Sequence, residues 1–228
     1  GTLVCLTPGE SISMKENNKE FPSKGWILAF HPDLICGTPL GFNIHNYTFF
    51  SYCPEEALHL SLREKQIILE FLERIRQELE RCIDRHSKKI ISKYIELLLD
   101  YCTRFYERQF ITRSEVNKKV FREFNHLLDN HFNVKVSLST DVLSDEYCAN
   151  LLHLSPAYFN DLLKYEIGKE FKEYIQFKRF EIAKGWLVNT DKTIGQIAQE
   201  LGFSNSQYFS RLFKKITGCS PNEFRMPN

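Results

Sequence analysis

No apolar stretch in this 228-residue sequence is long enough to cross a membrane, and no signal-peptide pattern stands at its start. There is no C-x-x-C pair among its seven cysteines, which are odd in number and scattered along the chain. That pattern excludes a disulfide framework and reads as the reduced thiols of a cytoplasmic protein. An excess of one charge is missing too. Lys and Arg number 30 against 29 Asp and Glu, a formal net charge of +1. That balance argues neither for nor against nucleic-acid binding, which would have to rest on local basic character and be specific, not a general polycation effect. The sequence also holds no phosphate loop, no paired nucleophile and base, and no compact metal-ligand spacing. His31, His45 and His59 fit no ligand motif and have no acidic partner at a useful offset, so they read as loop or core residues. Neither a cofactor nor a metal is expected, and the chain is not expected to be an enzyme.

What is present lies mostly toward the C-terminus. Residues 194–225 read IGQIAQELGFSNSQYFSRLFKKITGCSPNEFR. Ile197, Ala198 and Leu201 share one helical face, opposite Gln196, Gln199 and Glu200, and Gly202 is suited to the left-handed position after a helix end. Ser204 or Asn205 can cap a second helix, with Tyr208, Phe209, Leu212, Phe213 and Ile216 as its apolar stripe. Its other face carries Ser206, Gln207, Ser210, Arg211, Lys214 and Lys215. A short helix, a tight turn and a second helix with a polar, basic face form the layout that reads a major groove.

The pattern occurs once before, in residues 147–171, YCANLLHLSPAYFNDLLKYEIGKEF. Ala149 aligns with Ala198 and Ser155 with Ser204. After one residue of slip, Tyr158 and Phe159 align with Tyr208 and Phe209, Lys164 with Lys214, and Gly168 with Gly218. A self-match at a period of about 50 residues means two copies of one unit. The basic character is local. Residues 113–228 hold 16 Lys and Arg against 14 Asp and Glu, while residues 193–228 hold four against two.

The pattern A-x-x-L-x-[FL]-S-x-x-Y-F-x-x-L-[FL]-K, repeated and closed by TGCSPNEFR, resembles the DNA-binding domain of AraC-type (AraC/XylS) transcription regulators over about residues 113–228. The resemblance implies two helix-turn-helix units, at about 144–167 and 194–217, joined by one long helix with both recognition helices on the same side. It places the base-reading positions at Ser206, Gln207, Ser210 and Arg211 in the second copy. In the first they fall at Ala157, Asn160, Asp161 and Lys164. Arg can take guanine with two hydrogen bonds, Gln or Asn can take adenine, and Ala can meet a thymine methyl. Lys164, Lys214 and Lys215 are phosphate candidates, and Arg179 on the joining helix is another. Asp161 departs from the basic residue usual at its place, and a carboxylate near phosphate repels unless it accepts from a cytosine amine. The first copy is therefore expected to contribute less affinity. Phe159 and Phe209 fall in the apolar stripes and read as core, not as a stacking platform for single strands.

Residues 1–57 carry short β-prone runs at 3–6, 26–30 and 47–50, punctuated by Pro and Gly. Residues 61–110 are helical. Ser61 and Glu64 form a capping box, and Ile68, Phe71, Leu72, Ile75, Leu79 and Cys82 form a stripe. After a break near 84–87, a second helix is apolar over more than one face, and the two can pack as a hairpin. A third helix over about 116–131, a polar loop over 132–141 and a connecting helix over about 170–188 follow. Gly185 in the connecting helix costs about 1 kcal/mol against Ala.

The expected fold is mainly α with a small N-terminal β portion. A helical hairpin precedes the tandem helix-turn-helix domain and its long joining helix. Its parts are residues 1–60, a C-terminal remnant of a β-barrel-like effector-binding domain in a truncated chain; 61–112, a helical hairpin serving as linker and dimerisation element; and 113–228, the DNA-binding domain. The expected function is that of an effector-responsive bacterial transcription regulator in the cytoplasm. Its partners would be double-stranded promoter DNA, RNA polymerase, a small-molecule effector and a second copy of itself. A β-barrel enzyme and a helical protein-interaction module are the competing classes.

Overall fold

The computed structural model describes residues 1–10, 25–133 and 143–226. The chain divides into two compact units, Gly1–Ser114 and Glu115–Asn228.

In the first unit β1 (Thr2–Leu3) pairs antiparallel with β2 (Leu58–His59), Thr2 opposite His59 and Leu3 opposite Leu58. Among the described residues between them lie α1 (Pro32–Ile35), α2 (Pro39–Asn43) and three 3-10 turns, Ile44–Asn46, Thr48–Ser51 and Pro54–Glu56. Proline opens α1, α2 and the third turn, where a missing N–H leaves no bond unmade. His31 accepts from the Asp33 N–H at 3.2 Å and so caps α1.

The β-prone runs at 26–30 and 47–50 do not form strands. The second is wound into 3-10 turns, with Phe50 N–H donating to Tyr47 O at 3.3 Å and Tyr52 N–H to Phe49 O at 3.4 Å. β-propensity measures how well a side chain packs on a half-buried surface. Phe49 finds that surface on a helix, its ring stacked 5.3 Å from Tyr106.

That helix belongs to a hairpin of α3 (Leu62–Glu80) and α4 (Ser87–Thr112). Ser61 opens α3 with a capping box: its hydroxyl accepts from Glu64 N–H at 3.3 Å and Glu64 accepts from Ser61 N–H at 2.7 Å. The Asp84 carboxylate takes the N–H groups of His86 and Ser87 at 2.7 and 3.1 Å, which holds its pKa below the ordinary carboxylate value. Ile68 and Ile75 are buried, but α3 ends at Glu80, so Leu79 is 55% exposed and Cys82 lies beyond the helix. The stripe read from sequence thus runs one turn too far.

Buried Gln109 ties the small sheet to α4: it accepts from His59 N–H at 2.8 Å and donates to Ala57 O at 3.2 Å. Arg108 adds bonds to both Glu64 carboxylate oxygens at 2.9 and 2.8 Å and to His59 O at 2.7 Å.

The second unit holds α5 (Ser114–Asn133) from its second residue on, α6 (Asp145–Leu151), α7 (Pro156–Ile167), α8 (Phe171–Asn189), α9 (Ile194–Glu200), α10 (Ser206–Thr217) and α11 (Pro221–Arg225). The polar loop expected at 132–141 lies outside the described residues except at its start, where α5 runs on to Asn133. One core spans the unit. The Phe124 ring of α5 meets Phe159 of α7 edge-on at 5.0 Å, and Phe171 at the start of α8 lies 6.1 Å from Phe159. Nine residues on, Phe180 lies 5.6 Å from Phe203 and 6.1 Å from both Phe209 and Phe213. The helical ladder of α8 runs through Gly185 to Asn189, and Thr190 N–H still reaches Trp186 O at 3.1 Å.

Gly41 marks the tightest backbone approach in the first unit. A Cβ there would overlap the Ile35 carbonyl oxygen, which cannot swing aside as a side chain could. Gly41→Ala is expected to destabilise this unit by about 1–3 kcal/mol, seen as a lower midpoint in chemical denaturation followed by circular dichroism.

Candidate nucleic-acid interface

The two copies fold to matching dimensions. Each has a short helix of 7 residues, α6 or α9, and a longer helix of 12 residues, α7 or α10. Ser144 and Thr193 cap the short helices, and Ser155 and Asn205 cap the long ones, each by accepting from a backbone N–H. Of the two residues able to cap α10, Asn205 does so, from Tyr208 N–H at 2.7 Å. Gly168 and Gly218 stop the long helices in left-handed conformations, φ 66° and 84°.

The turns also match bond for bond. Leu154 N–H reaches Ala149 O and Phe203 N–H reaches Ala198 O, both at 2.9 Å. His153 N–H reaches Asn150 O at 3.1 Å and Gly202 N–H reaches Gln199 O at 3.0 Å. The turn residue is left-handed in each, Gly202 at φ 74° and His153 at φ 57°. Sequence reading paired neither His153 with Gly202 nor a left-handed turn with the first copy, although the alignment puts them opposite each other.

On α10, Gln207, Arg211, Lys214 and Lys215 are exposed, while Phe209 and Phe213 are fully buried. The exposed four follow i, i+4, i+7, i+8 spacing and so share one face. The Arg211 guanidinium stands 5.7 Å over the Tyr208 ring, and Tyr208 is 39% exposed. Tyr208 and Ile216 therefore sit at the edge of the buried stripe, whereas Tyr158 in the first copy is buried. Ser206 and Ser210 are half-buried, and the Ser210 hydroxyl donates to Ser206 O at 2.8 Å.

The corresponding face of α7 is less open. Lys164 is exposed; Ala157, Asn160 and Asp161 are half-buried. The Asn160 amide donates to Asp145 Oδ2 at 2.9 Å and to Pro156 O at 3.0 Å. Asp145 lies on α6, 15 residues earlier, a separation that no motif marks.

Two cations near this domain are committed elsewhere. Lys192 pairs with Glu200 at 2.5 Å and stands 4.1 Å over the Trp186 ring. Arg225 donates to Leu187 O at 3.2 Å and to Lys192 O, so α11 latches the end of α8 to the start of α9. Arg179 is half-buried, 6.0 Å over the Phe203 ring, and burial lowers its pKa below the ordinary arginine value. Its Nε meets no partner among the described residues.

The described residues hold no group of three or more His, Cys, Asp or Glu arranged for a metal, and no described helix is long and apolar enough to cross a membrane. All seven cysteines are unpaired. Burial pushes the Cys5 thiol up to about 12 and Cys148 up to about 11, so both stay protonated at neutral pH.

Residues 148–226 match a protein-family model described as a helix-turn-helix domain. The HTH-type transcriptional regulator YtdP of Bacillus subtilis is 33% identical over 111 residues, covering 49% of this chain and 14% of that protein. The HTH-type transcriptional regulator YijO of Escherichia coli is 24% identical over 225 residues, covering 99% of this chain and 76% of that protein. The arabinose operon regulatory protein of Salmonella typhimurium is 33% identical over 101 residues, covering 44% of this chain and 32% of that protein. The chain thus spans about a seventh of YtdP and a third of the arabinose regulator.

His153→Gly is expected to stabilise this unit by up to about 1 kcal/mol. It relieves about 1–2 kcal/mol of left-handed strain, set against the greater freedom of glycine in the unfolded chain. Thermal melts of the two proteins side by side check it.

Proposed function

We propose, on the premise that residues 148–226 of this chain are an AraC-type helix-turn-helix domain, that the protein binds promoter DNA sequence-specifically and regulates transcription. The duplication carries the reading: two helix pairs of equal dimensions, with matching caps and turn bonds, share one connecting helix. The relatives named as transcriptional regulators support it. On this reading α7 and α10 enter successive major grooves on one face of the duplex, about 10 base pairs apart. Arg211 takes guanine and Gln207 takes adenine, with Ser206 and Ser210 beside them. Ala157 meets a thymine methyl and Asn160 a base amine. Lys164, Lys214 and Lys215 hold phosphates, and Asp161 keeps the first copy's share of the affinity small.

The first unit, on the same reading, receives a small-molecule effector and pairs with a second copy. Ile90 and Leu97 on α4 support the pairing: they are 37% and 44% exposed, next to half-buried Tyr94 and Tyr101, and leave an apolar ridge open to solvent. RNA polymerase is the further partner, the cytoplasm is the location, and no catalytic role is assigned.

A gel shift on promoter DNA with a salt titration tests the reading. Specific binding whose log K falls linearly with log salt supports it; equal binding to scrambled duplex overturns it. Arg211→Ala is expected to lose about 1–3 kcal/mol of specific binding and to relax the preference at one base pair. Lys214→Ala should weaken binding to all sequences alike and reduce the salt slope by about one unit. If Arg211→Ala changed neither affinity nor preference in a folded protein, the reading face would be wrongly assigned.

A further inference from the structure

The amide of Asn160 is already engaged before any DNA arrives. Its two neighbours, Asp145 Oδ2 at 2.9 Å and Pro156 O at 3.0 Å, are both acceptors. The network therefore fixes which end of the amide is nitrogen. Both Nδ2 hydrogens are taken up, and the side-chain oxygen Oδ1 is the atom left over. The second copy has no such arrangement. Ile194 stands where Asp145 would be, and Ser210, in the place of Asn160, turns its hydroxyl to Ser206 O of its own helix.

Resting on the reading of α7 as a recognition helix, we propose that Asp145 is a specificity-determining residue that acts through Asn160. Asparagine selects adenine with two bonds, accepting from the N6 amine and donating to N7. With Nδ2 held by Asp145, only the accepting bond is made, and the N4 amine of cytosine offers the same donor. The first copy then selects a base amine, adenine or cytosine. It rejects guanine and thymine, whose polar major-groove atoms are acceptors only. Removing the carboxylate frees one hydrogen of Nδ2 and restores the adenine pair.

The test is selection from randomised duplex DNA by the full chain, with the bound pool sequenced. Asn160→Ala marks the base pair concerned, as the position whose preference it erases. At that position the wild type is expected to take adenine and cytosine at comparable frequency. Asp145→Ala is expected to favour adenine over cytosine on the order of tenfold. Asp145→Ile, which copies the residue type at the corresponding place in the second copy, gives the same readout where the alanine variant does not fold. Asp145→Asn keeps an acceptor in place and should restore the wild-type pattern, which loss of packing alone would not do. An unchanged preference in both Asp145→Ala and Asp145→Ile overturns the proposal, as does an Asn160→Ala variant that alters no position. A wild type that selects no motif at all overturns the DNA-binding reading beneath it, so the two failures are distinct.

Discussion

A helix of 7 residues and one of 12 cannot bury an apolar stripe by themselves, and each copy of the repeat has no more than that. The second unit depends on α8 to solve this. Its Phe171 lies against Phe159 of the first copy, and its Phe180 sits among Phe203, Phe209 and Phe213 of the second. One rigid helix thereby completes both cores, and its 19 residues span about 28 Å at 1.5 Å per residue. Arg225 extends the same constraint to the C-terminus by tying α11 to the end of α8 and the start of α9. The turns, caps and glycine stops set each long helix on its short partner, and α8 sets one copy against the other.

Within this shared scaffold the two copies have diverged chemically. The second presents Gln207, Arg211, Lys214 and Lys215 to solvent on one helical face. The first has a half-buried Asn160 whose amide is held by Asp145, a carboxylate at Asp161, and Lys164 as the exposed cation of the corresponding face. It also keeps a histidine in the left-handed turn where the second copy has glycine. In the proposed function, these unequal faces on equal backbones would give the two helices unequal shares of the DNA affinity.

The helical architecture of the second unit was legible because two independent signals coincided, the 3.6-residue stripe and its recurrence about 50 residues later. The capping box of Ser61 and Glu64 forms as its spacing implied, and of Ser204 and Asn205 it is Asn205 that caps α10. The run at 47–50 misled because aromatic residues suit any half-buried surface, and for Phe49 a helix supplies it; in the run at 26–30 Trp26 and Ile27 are exposed and no strand forms. On the candidate interface, Lys164, Gln207, Arg211, Lys214 and Lys215 of the residues named from sequence are exposed, whereas Ala157, Asn160, Asp161, Ser206 and Ser210 are half-buried; residue spacing gave the helical face but not the depth of each side chain. It did not show which donors were already in use. The Asp145–Asn160 bond joins residues 15 apart across a turn, and the Ser210 hydroxyl is taken by its own backbone. Hydrogen-bond partners of that kind depend on how the two helices cross, which residue order does not encode.

In the proposed function α7 and α10 read one face of a DNA duplex together, held apart by α8. Hydroxyl-radical footprinting of the full chain on a selected site tests it most directly. Each bound chain is expected to protect two segments about 10 base pairs apart on the same face, the one facing α10 more strongly. A single protected segment, or two on opposite faces of the duplex, would contradict it.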